Sequence, residues 1–369
     1  MLFSVLWIGS LFSQSSGHGT LVHPNNPSTS IFFTRAGQAL VTGKYRKARP
    51  YSVEAVVLYA QCKYMHKEDP DADAWLIMGI STRLAMRMGY HRDPRHLKSI
   101  SPFEGEMRRR TFLIVEAFDL LLSFQAGLPA IIQEEQCDIE PPRNLFDEDI
   151  DENCKVLPPS RPPTDPTPML YFCYKSQFAK IFRRVVRHAL SLKTPSFEVT
   201  MKLDQELHAA FLLVPPSLQM KPLGQLLSDQ PHMILNRLNI ELSYLKSLCI
   251  LHRMYLSHDR SNPTFSYSRK TCADASLQLL HHQADLYAAS QPGGRFHKDG
   301  SMLTSMALHD FLLAAMITSL DLYESRKSRF TSTEDLKAQR ESFDALRLSH
   351  EIWTSRQAIF EPFLPSLYE

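Results

Sequence analysis

The sequence has little net charge and lacks long uninterrupted apolar runs. Its 369 residues include 41 basic and 39 acidic side chains, which give a formal charge of +2. A charge this small gives no reason to expect binding to nucleic acid or to an anionic membrane surface. No apolar run approaches the roughly 20 residues that a membrane-spanning helix needs. We therefore expect no membrane association, and composition alone identifies no partner.

Cysteine is sparse and scattered. No C-x-x-C pair occurs, which excludes a zinc knuckle, and no compact disulfide framework is present. Several cysteines lie among apolar residues, so we predict free thiols in a reducing compartment. The six are Cys62, Cys137, Cys154, Cys173, Cys249 and Cys272.

Sequence motifs of the common catalytic sites are also missing. The metalloprotease spacing H-E-x-x-H, the Walker and dinucleotide glycine patterns and the nucleophile elbow G-x-S-x-G do not occur. We therefore predict that this chain holds no metal or cofactor and is not an enzyme. A serine, a histidine and an acid that converge in space stay possible, since sequence alone does not show such convergence.

The first 17 residues only partly resemble a secretory signal. An apolar run that includes Trp7 is followed by small residues, but no Lys or Arg precedes Arg35. A secretory signal begins with a positively charged segment, so we predict a buried helix of the folded protein instead. We expect the natural start of this helix region to lie upstream of Met1.

Helical periodicity dominates the rest of the chain, and no series of alternating strands occurs. We therefore predict an all-α protein, a large multi-helix domain with no substantial β-sheet. The predicted helices cover residues 2–13, 51–66, 70–88, 102–124, 168–192, 195–213, 232–257, 269–290, 301–324 and 334–351.

Two helix starts and one helix end are clear in the sequence. Asp69 precedes Pro70, which places an N-cap before a proline at the first helical position. Ser101 and Glu104 have the spacing of a capping box. Gly89 follows an apolar stripe at the position of a left-handed C-cap. These signals predict two helices joined by the loop that Gly89 begins.

Proline is concentrated in residues 155–168. Proline restricts the residue before it and donates no backbone hydrogen bond, so this segment is predicted to be an exposed connection. We interpret it as a hinge between an N-terminal and a C-terminal helical layer. We place one domain over residues 1–325 and a C-terminal helical extension over 326–369.

The triplet His91-Arg92-Asp93 resembles part of a kinase catalytic loop. A kinase would also need a glycine-rich phosphate loop, a strand lysine and an Asp-Phe-Gly segment, which are absent. We interpret the triplet as the exit from a helix, with locally paired charges.

Basic residues form three clusters, at 44–49, 108–110 and 183–187. The second cluster lies one turn into a helix after acidic residues, so ion pairs along that helix are expected. The acidic run 147–152 is a second intramolecular partner. Solvated faces or internal ion pairs explain the clusters most simply, and nuclear import or anion binding is the alternative.

Four ordered segments between residues 79 and 145 resemble one known family. They are Gly-Ile-Ser-Thr-Arg-Leu-Ala-Met-Arg-Met-Gly-Tyr-His-Arg-Asp at 79–93, Ser-Pro-Phe-Glu…Glu-Met-Arg-Arg-Arg at 101–110, Leu-Ser-Phe-Gln-Ala-Gly-Leu-Pro-Ala-Ile at 122–131, preceded by Asp119, and Cys-Asp-Ile-Glu-Pro-Pro-Arg-Asn-Leu at 137–145. The pattern is similar to the fungal-specific transcription factor domain, the middle regulatory region of fungal binuclear zinc-cluster transcription factors. Tyr90 departs from the leucine that is usual in this family.

The resemblance implies a helical domain that regulates transcription in the nucleus and has no catalytic site. It implies that the family's signature residues have structural or regulatory roles. In this chain they are Arg83, Gly89, His91, Arg92, Asp93, Glu104, Arg108, Arg109 and Arg110.

Members of this family usually carry an N-terminal zinc cluster with six closely spaced cysteines, a pattern that this sequence does not contain. The resemblance therefore implies zinc only in that missing cluster, and DNA contact only through that module or a partner. We expect a truncated gene product, an excised fragment or a regulator without its own DNA reader. Expected partners are another protein or a second copy, together with a small-molecule effector. An enzyme or a dimerising antagonist on the same scaffold is the alternative.

Overall fold

A computed structural model of the chain describes residues 1–15, 27–65, 70–97, 99–221, 229–260, 262–294, 296, 300–327 and 333–360. Within these ranges the regular structure consists of eleven α-helices and short 3-10 turns, with no strand. The predicted all-α class is therefore confirmed. The chain forms two compact units. Unit 1 comprises Met1–Thr194 and Ala209–Gln219, and unit 2 comprises Pro195–His208 and Met220–Glu369.

The helices follow the predicted periodicity closely. They are α1 (Leu2–Ser15), α2 (Pro27–Thr42), α3 (Ser52–Met65), α4 (Pro70–Arg87), α5 (Pro102–Gln125), α6 (Pro168–Ala189), α7 (Phe197–Leu212), α8 (Pro231–His252), α9 (Ser266–Ser290), α10 (Gly300–Lys327) and α11 (Thr333–Phe360). All ten predicted helices are present with shifted ends. The prediction over 232–257 is too long, because a 3-10 turn at Arg253–Tyr255 follows α8. The predicted N-cap Asp69 lies outside the described residues.

Helix α2 is the element that the sequence analysis missed. Among its described side chains only Ala36 is fully buried, so its sequence carries a weak apolar pattern. The ring of Phe33 nevertheless stacks on Tyr59 of α3 at 5.6 Å and lies 5.7 Å from Trp7 of α1. The predicted helix near the N-terminus is confirmed, but it is buried only in part: Trp7 is completely buried, whereas Leu2 and Val5 are exposed.

The main core of unit 1 lies between α3, α4 and α5, which pack against one another. Burying each large apolar side chain contributes about 1.5–3 kcal/mol relative to exposure. The buried residues recur at helical spacing: Val53, Val56, Val57, Ala60 and Tyr64 on α3, Ala74, Met78, Leu84 and Ala85 on α4, and Phe112, Val115 and Leu122 on α5.

Unit 2 is organised around α8. Residues 245–252 of this helix are all buried, which is the pattern of a helix covered on every side. It packs against α9 and α10, and α11 packs against α9 and α10. The buried Nζ of Lys246 lies 3.0 Å from Oδ1 of Asp310, which joins α8 to α10.

The end of α4 is the predicted glycine cap. The amide of Tyr90 donates to the Ala85 carbonyl at 2.9 Å, and the amide of Gly89 donates to Met86 at 3.1 Å. These two bonds and the φ of 77° at Gly89 form a Schellman motif. The turn ends α4 and leads into His91–Asp93.

The proline-rich segment is exposed, as predicted, but it is not a hinge between the two units. The side-chain amide of Asn144 donates to the carbonyl oxygens of Arg161 and Asp165 at 3.1 and 3.0 Å. Its Oδ1 accepts from the amide of Thr167 at 3.1 Å. These bonds hold the segment within unit 1, to which both of its flanks belong. The boundary proposed at residue 325 stays a prediction.

Gly89 provides a test of the helix cap. An added Cβ would meet nothing within 4 Å at Gly89 or at Gly9 of α1, so neither substitution causes a steric clash, and only Gly89 has a positive φ. We expect Gly89→Ala to lower the free energy of unfolding by about 1–2 kcal/mol, because its φ is positive. Gly9→Ala should raise it by about 0.5–1 kcal/mol, because alanine favours a helix. Urea denaturation measures both, and equal shifts would contradict the cap assignment.

Candidate functional site

Four of the signature residues, His91, Arg92, Asp93 and Arg109, lie together in the structure and are called the Asp93 cluster. The carboxylate of Asp93 is its centre. It is completely buried in the turn after α4. Arg109 of α5 donates to it through Nε at 3.1 Å and through Nη2 at 2.8 Å. The backbone amides of Arg95 and Glu140 also donate to it, at 3.0 and 3.1 Å. One side chain thus joins α5, its own turn and the segment that begins at residue 138.

The local sequence explains how Asp93 reaches this position. Asp93 is the N-cap of a short 3-10 turn whose first residue is Pro94. A Cβ built at Gly105 would lie 2.9 Å from Cβ of Pro94, so the glycine permits the turn to approach α5.

Opposing effects determine the pKa of Asp93. Burial raises it, but the hydrogen bonds from Arg109 and from the two backbone amides outweigh burial, so the pKa lies below its ordinary value. The carboxylate is therefore ionised at neutral pH and supplies a counter-charge to the buried guanidinium of Arg109.

Arg92 forms a second ion pair between the turn after α4 and the segment that begins at residue 138. Its guanidinium donates to both carboxylate oxygens of Asp138, at 3.1 and 3.0 Å. The amide of Asp93 donates to the same carboxylate at 2.8 Å. Arg92 and this amide lower the pKa of Asp138 to about 2. The amide of Asp138 in turn donates to the His91 carbonyl at 3.2 Å.

These contacts correct the interpretation of the triplet as locally paired. The main partners of Arg92 and Asp93 lie 46 and 16 positions away, so the pairing is tertiary. The helix exit itself is confirmed by the cap at Gly89.

The ion pairs predicted along α5 are confirmed. Arg108 lies 2.8 Å from the Glu104 carboxylate, and Arg110 lies 3.3 Å from the buried carboxylate of Glu106. Arg110 also pairs with Asp147 of the acidic run at 2.6 Å. The signature residues of α5 are thus occupied by internal contacts.

Arg83 lies apart from this cluster. Its Nη1 donates to the Gly79 carbonyl of its own helix at 3.1 Å. Glu104 accepts from Arg108, while Ser101 caps α5 by accepting from the Glu104 amide at 3.1 Å. The structure therefore brings together the 91–93 triplet and Arg109, with Arg108 and Arg110 beside them.

Two acidic residues of α5, Glu116 and Asp119, were not assigned roles from the sequence. Asp119 of α5 is buried and accepts from the amides of Ile131 and Ile132 at 3.2 and 2.9 Å. Arg183 of α6 donates to the Ile132 carbonyl at 2.5 Å and pairs with Glu116 at 3.1 Å. Burial raises the pKa of both acids. Their one sequence signal is an acidic residue near the apolar stripe of a helix.

Unit 2 contains a serine, a histidine and an acid in hydrogen-bond reach. Nδ1 of His252 lies 3.0 Å from Oγ of Ser268, and Nε2 lies 3.0 Å from Oδ1 of Asp204. Tyr267 donates to the other oxygen of Asp204 at 2.9 Å. Burial raises the pKa of Asp204, but His252 and Tyr267 outweigh it and lower the pKa. The distances match those of a hydrolase triad.

These three residues are buried, whereas the serine of a functional catalytic triad must be accessible to substrate. Ser268 and His252 are 0% exposed and Asp204 is 3% exposed, so a substrate has no access to the hydroxyl. Ser268 lies in the first turn of α9 and His252 ends α8. The three side chains, which come from α7, α8 and α9, satisfy one another's polar atoms, as buried polar groups generally require.

The described part of the chain offers no metal site or membrane span. No group of three or more His, Cys, Asp or Glu side chains is arranged there to hold a metal ion. No helix in these residues combines the length and the hydrophobicity needed to cross a bilayer. All six cysteines are free, as predicted.

Comparisons with known proteins identify similar chains. A family model, the fungal-specific transcription factor domain, matches residues 1–207. The Zn(2)-C6 fungal-type transcription factor mpsB of Macrophomina phaseolina is 38% identical over 97% of this chain and 50% of its own length. The corresponding factor pigI of Monascus ruber is 37% identical over 96% of this chain and 44% of its own length.

A third relative is the equisetin cluster transcription factor eqxF of Fusarium heterosporum. It is 31% identical over 87% of this chain and 46% of its own length. The chain thus spans about half the length of these curated relatives. No solved structure matches it significantly.

The Asp93 cluster predicts a large loss of stability when its charge is removed. Asp93→Asn removes the hydrogen-bonded counter-charge of the buried Arg109, which then retains only the Glu106 carboxylate at 3.7 Å, and should lower the free energy of unfolding by about 3–5 kcal/mol. Asp147→Asn is a matched control. The Asp147 side chain is 87% exposed, so its loss should cost less than about 1 kcal/mol.

The same comparison has a defined pH dependence. Because folding lowers the pKa of Asp93, its stabilisation is complete above the unfolded-state pKa of about 3.9 and is lost as pH falls through the folded-state value. Urea denaturation at pH 7 and at acidic pH should show the gap between Asp93→Asn and the parent shrinking. A gap below about 1 kcal/mol at pH 7 would mean that the pair is no stronger than an exposed one.

The buried triad predicts that the folded chain does not react with a fluorophosphonate probe, which phosphonylates activated serines. Ser268→Ala should also show no labelling, and an active serine hydrolase provides the positive control. Mass spectrometry measures the adduct. Stoichiometric labelling that disappears in Ser268→Ala would show that the site opens and would restore the enzyme interpretation.

Proposed function

The chain belongs to the fungal-specific transcription factor domain family, and we propose that it acts as an effector- or partner-responsive helical domain in the regulation of transcription. The observation that carries this proposal is the family match over residues 1–207, which contains the whole Asp93 cluster. Its curated relatives are named as fungal transcription factors. We propose a non-enzymatic role, since the signature side chains are engaged in internal ion pairs.

We propose that a small molecule or a protein changes the packing of the helices and thereby exposes or masks an activation surface. Such a ligand must bind two packing arrangements with different affinity, because equal affinity shifts no equilibrium. The cluster supports this mechanism by providing a discrete joint. The carboxylate of Asp93 connects the turn after α4 both to Arg109 of α5 and to the amide of Glu140.

An exposed apolar face on α10 supports a protein partner, either another protein or a second copy. Leu312, Met316, Leu320 and Tyr323 recur at the spacing of one helical face. Met316 is 72% exposed and Tyr323 is 60% exposed. Contiguous exposed apolar residues are typical of surfaces that bind other proteins.

We further propose that the chain acts in the nucleus and does not read DNA by itself. Relatives that are named as transcription factors support the nuclear location. The absence of a C-x-x-C pair from the sequence supports the second part, since a binuclear zinc cluster needs closely spaced cysteine ligands. Zinc and direct DNA recognition then belong to a separate module or to a partner.

A tethering experiment tests this function. The chain is fused to an unrelated sequence-specific DNA-binding domain in a fungal host that carries a reporter gene with the matching site. We expect the fusion to change reporter expression several-fold relative to the DNA-binding domain alone, while the untethered chain has no effect. Asp147→Asn should behave like the parent, and Asp93→Asn, which destabilises unit 1, should weaken the response.

Two results would contradict the proposal. In the first, the fusion accumulates in the nucleus, as immunoblotting of nuclear extracts would show, and leaves reporter expression unchanged. In the second, the untethered chain changes reporter expression by binding the reporter's promoter, which would show that the chain reads DNA itself.

A further inference from the structure

One of the three basic clusters lies in the loop between α2 and α3. Unlike the other two, it forms no ion pairs with acidic residues in the described part of the chain. In the other two, Arg108 and Arg110 pair with acids of α5, and Arg183 pairs with Glu116. The loop has the sequence Lys-Tyr-Arg-Lys-Ala-Arg at residues 44–49. Its four cations are exposed, and within the described residues none has an ion-pair partner.

The surrounding sequence supplies no counter-charge to this loop. No Asp or Glu occurs before Glu54, whereas five basic residues do. Glu54 is itself occupied, because its Oε1 accepts from the hydroxyl of Tyr90 at 3.1 Å. The loop is therefore a local concentration of positive charge on a protein whose total charge is only +2.

The loop is anchored at its beginning by the end of α2. The amide of Tyr45 donates to the Leu40 carbonyl at 3.1 Å, and the amide of Lys44 donates to Val41 at 3.0 Å. With a φ of 55° at Lys44, these bonds form a second Schellman motif. The ring of Tyr45 packs partly buried against the core of unit 1.

A serine anchors the other end. Oγ of Ser52, the first residue of α3, donates to the Lys47 carbonyl at 3.0 Å and accepts from the Arg49 amide at 3.2 Å. Residues 46–49 lie outside any helix and are exposed. The fold therefore presents a short non-helical basic segment between two fixed ends.

We propose that residues 44–49 are a nuclear-import signal that binds the acidic peptide groove of an import receptor. This inference rests on the nuclear role in the proposed function. Basic segments of five to eight residues are typical of such signals. Arginine and lysine in an exposed loop can form charge-assisted hydrogen bonds with the carboxylates of an acidic groove. The phosphate backbone of DNA is a weaker match, because four cations form few phosphate contacts and the net charge adds little attraction.

Localisation of the full chain tests the proposal. The chain is fused to several copies of a fluorescent protein, so that passive diffusion through nuclear pores is blocked. The loop variant is Arg46→Gln, Lys47→Gln and Arg49→Gln. The control removes the same charges at three other exposed positions without an ion-pair partner in the described structure, Lys193→Gln, Arg253→Gln and Arg340→Gln.

We expect the ratio of nuclear to cytoplasmic fluorescence to fall at least fivefold in the loop variant and to stay unchanged in the control. An unrelated import signal appended to the loop variant should restore nuclear accumulation, and an unchanged urea denaturation midpoint of the purified loop variant would show that it is folded. Equal nuclear accumulation of the loop variant and the parent would overturn the proposal.

Binding measurements identify the partner. Fluorescence anisotropy with a purified import receptor should show binding by the parent and the control, and at least tenfold weaker binding by the loop variant. If the loop variant binds the receptor like the parent but loses affinity for duplex DNA at physiological salt, the loop is a phosphate-binding patch and the proposal fails.

This outcome is separable from failure of the proposed function. In the tethered reporter assay, every fusion carries an unrelated import signal, so the loop variant should regulate like the parent. Loss of regulation in the parent would reject the regulatory role, whereas normal regulation with unchanged localisation of the loop variant would reject only the import signal.

Discussion

The buried ion pair between Asp93 and Arg109 is the contact on which the arrangement of unit 1 depends. A charge removed from water is tolerated only when its partner and hydrogen bonds compensate for lost hydration. Here the two residues lie 16 positions apart, and both are nearly excluded from solvent. The glycine cap of α4 and the approach of Pro94 to Gly105 make the pairing geometrically possible. The loop that returns at Glu140 then completes the shell around the carboxylate.

This view gives the family signature a physical meaning. Its charged residues hold together α4, α5 and the segment that begins at residue 138. The signature is therefore better evidence for a fold than for a ligand-binding site. Regulation would then act through surfaces that the joint positions. Unit 2 has a comparable buried polar contact, in which His252 connects Asp204 to Ser268. The distances between these three residues match those of a catalytic triad, but their complete burial gives them a structural role.

Local features of the fold follow directly from the sequence, but tertiary partners do not. Periodicity identified ten helices, and the caps at Gly89 and Ser101 have recognisable residues at fixed spacing. The Arg108–Glu104 pair was predictable because both residues lie on one helical face. Asp138 as partner of Arg92 was not, since spacing along a chain does not show which loops meet. Helix α2 was missed because little of its surface is buried.

A double-mutant cycle tests the central claim most directly. The free energy of unfolding is measured by urea denaturation for the parent, Asp93→Asn, Arg109→Met and the double variant. If the pair is the joint of unit 1, the double variant is less destabilised than the two single changes together, by about 1.5–3 kcal/mol. Additivity within about 0.5 kcal/mol would show that the two side chains stabilise the protein independently and would contradict the account.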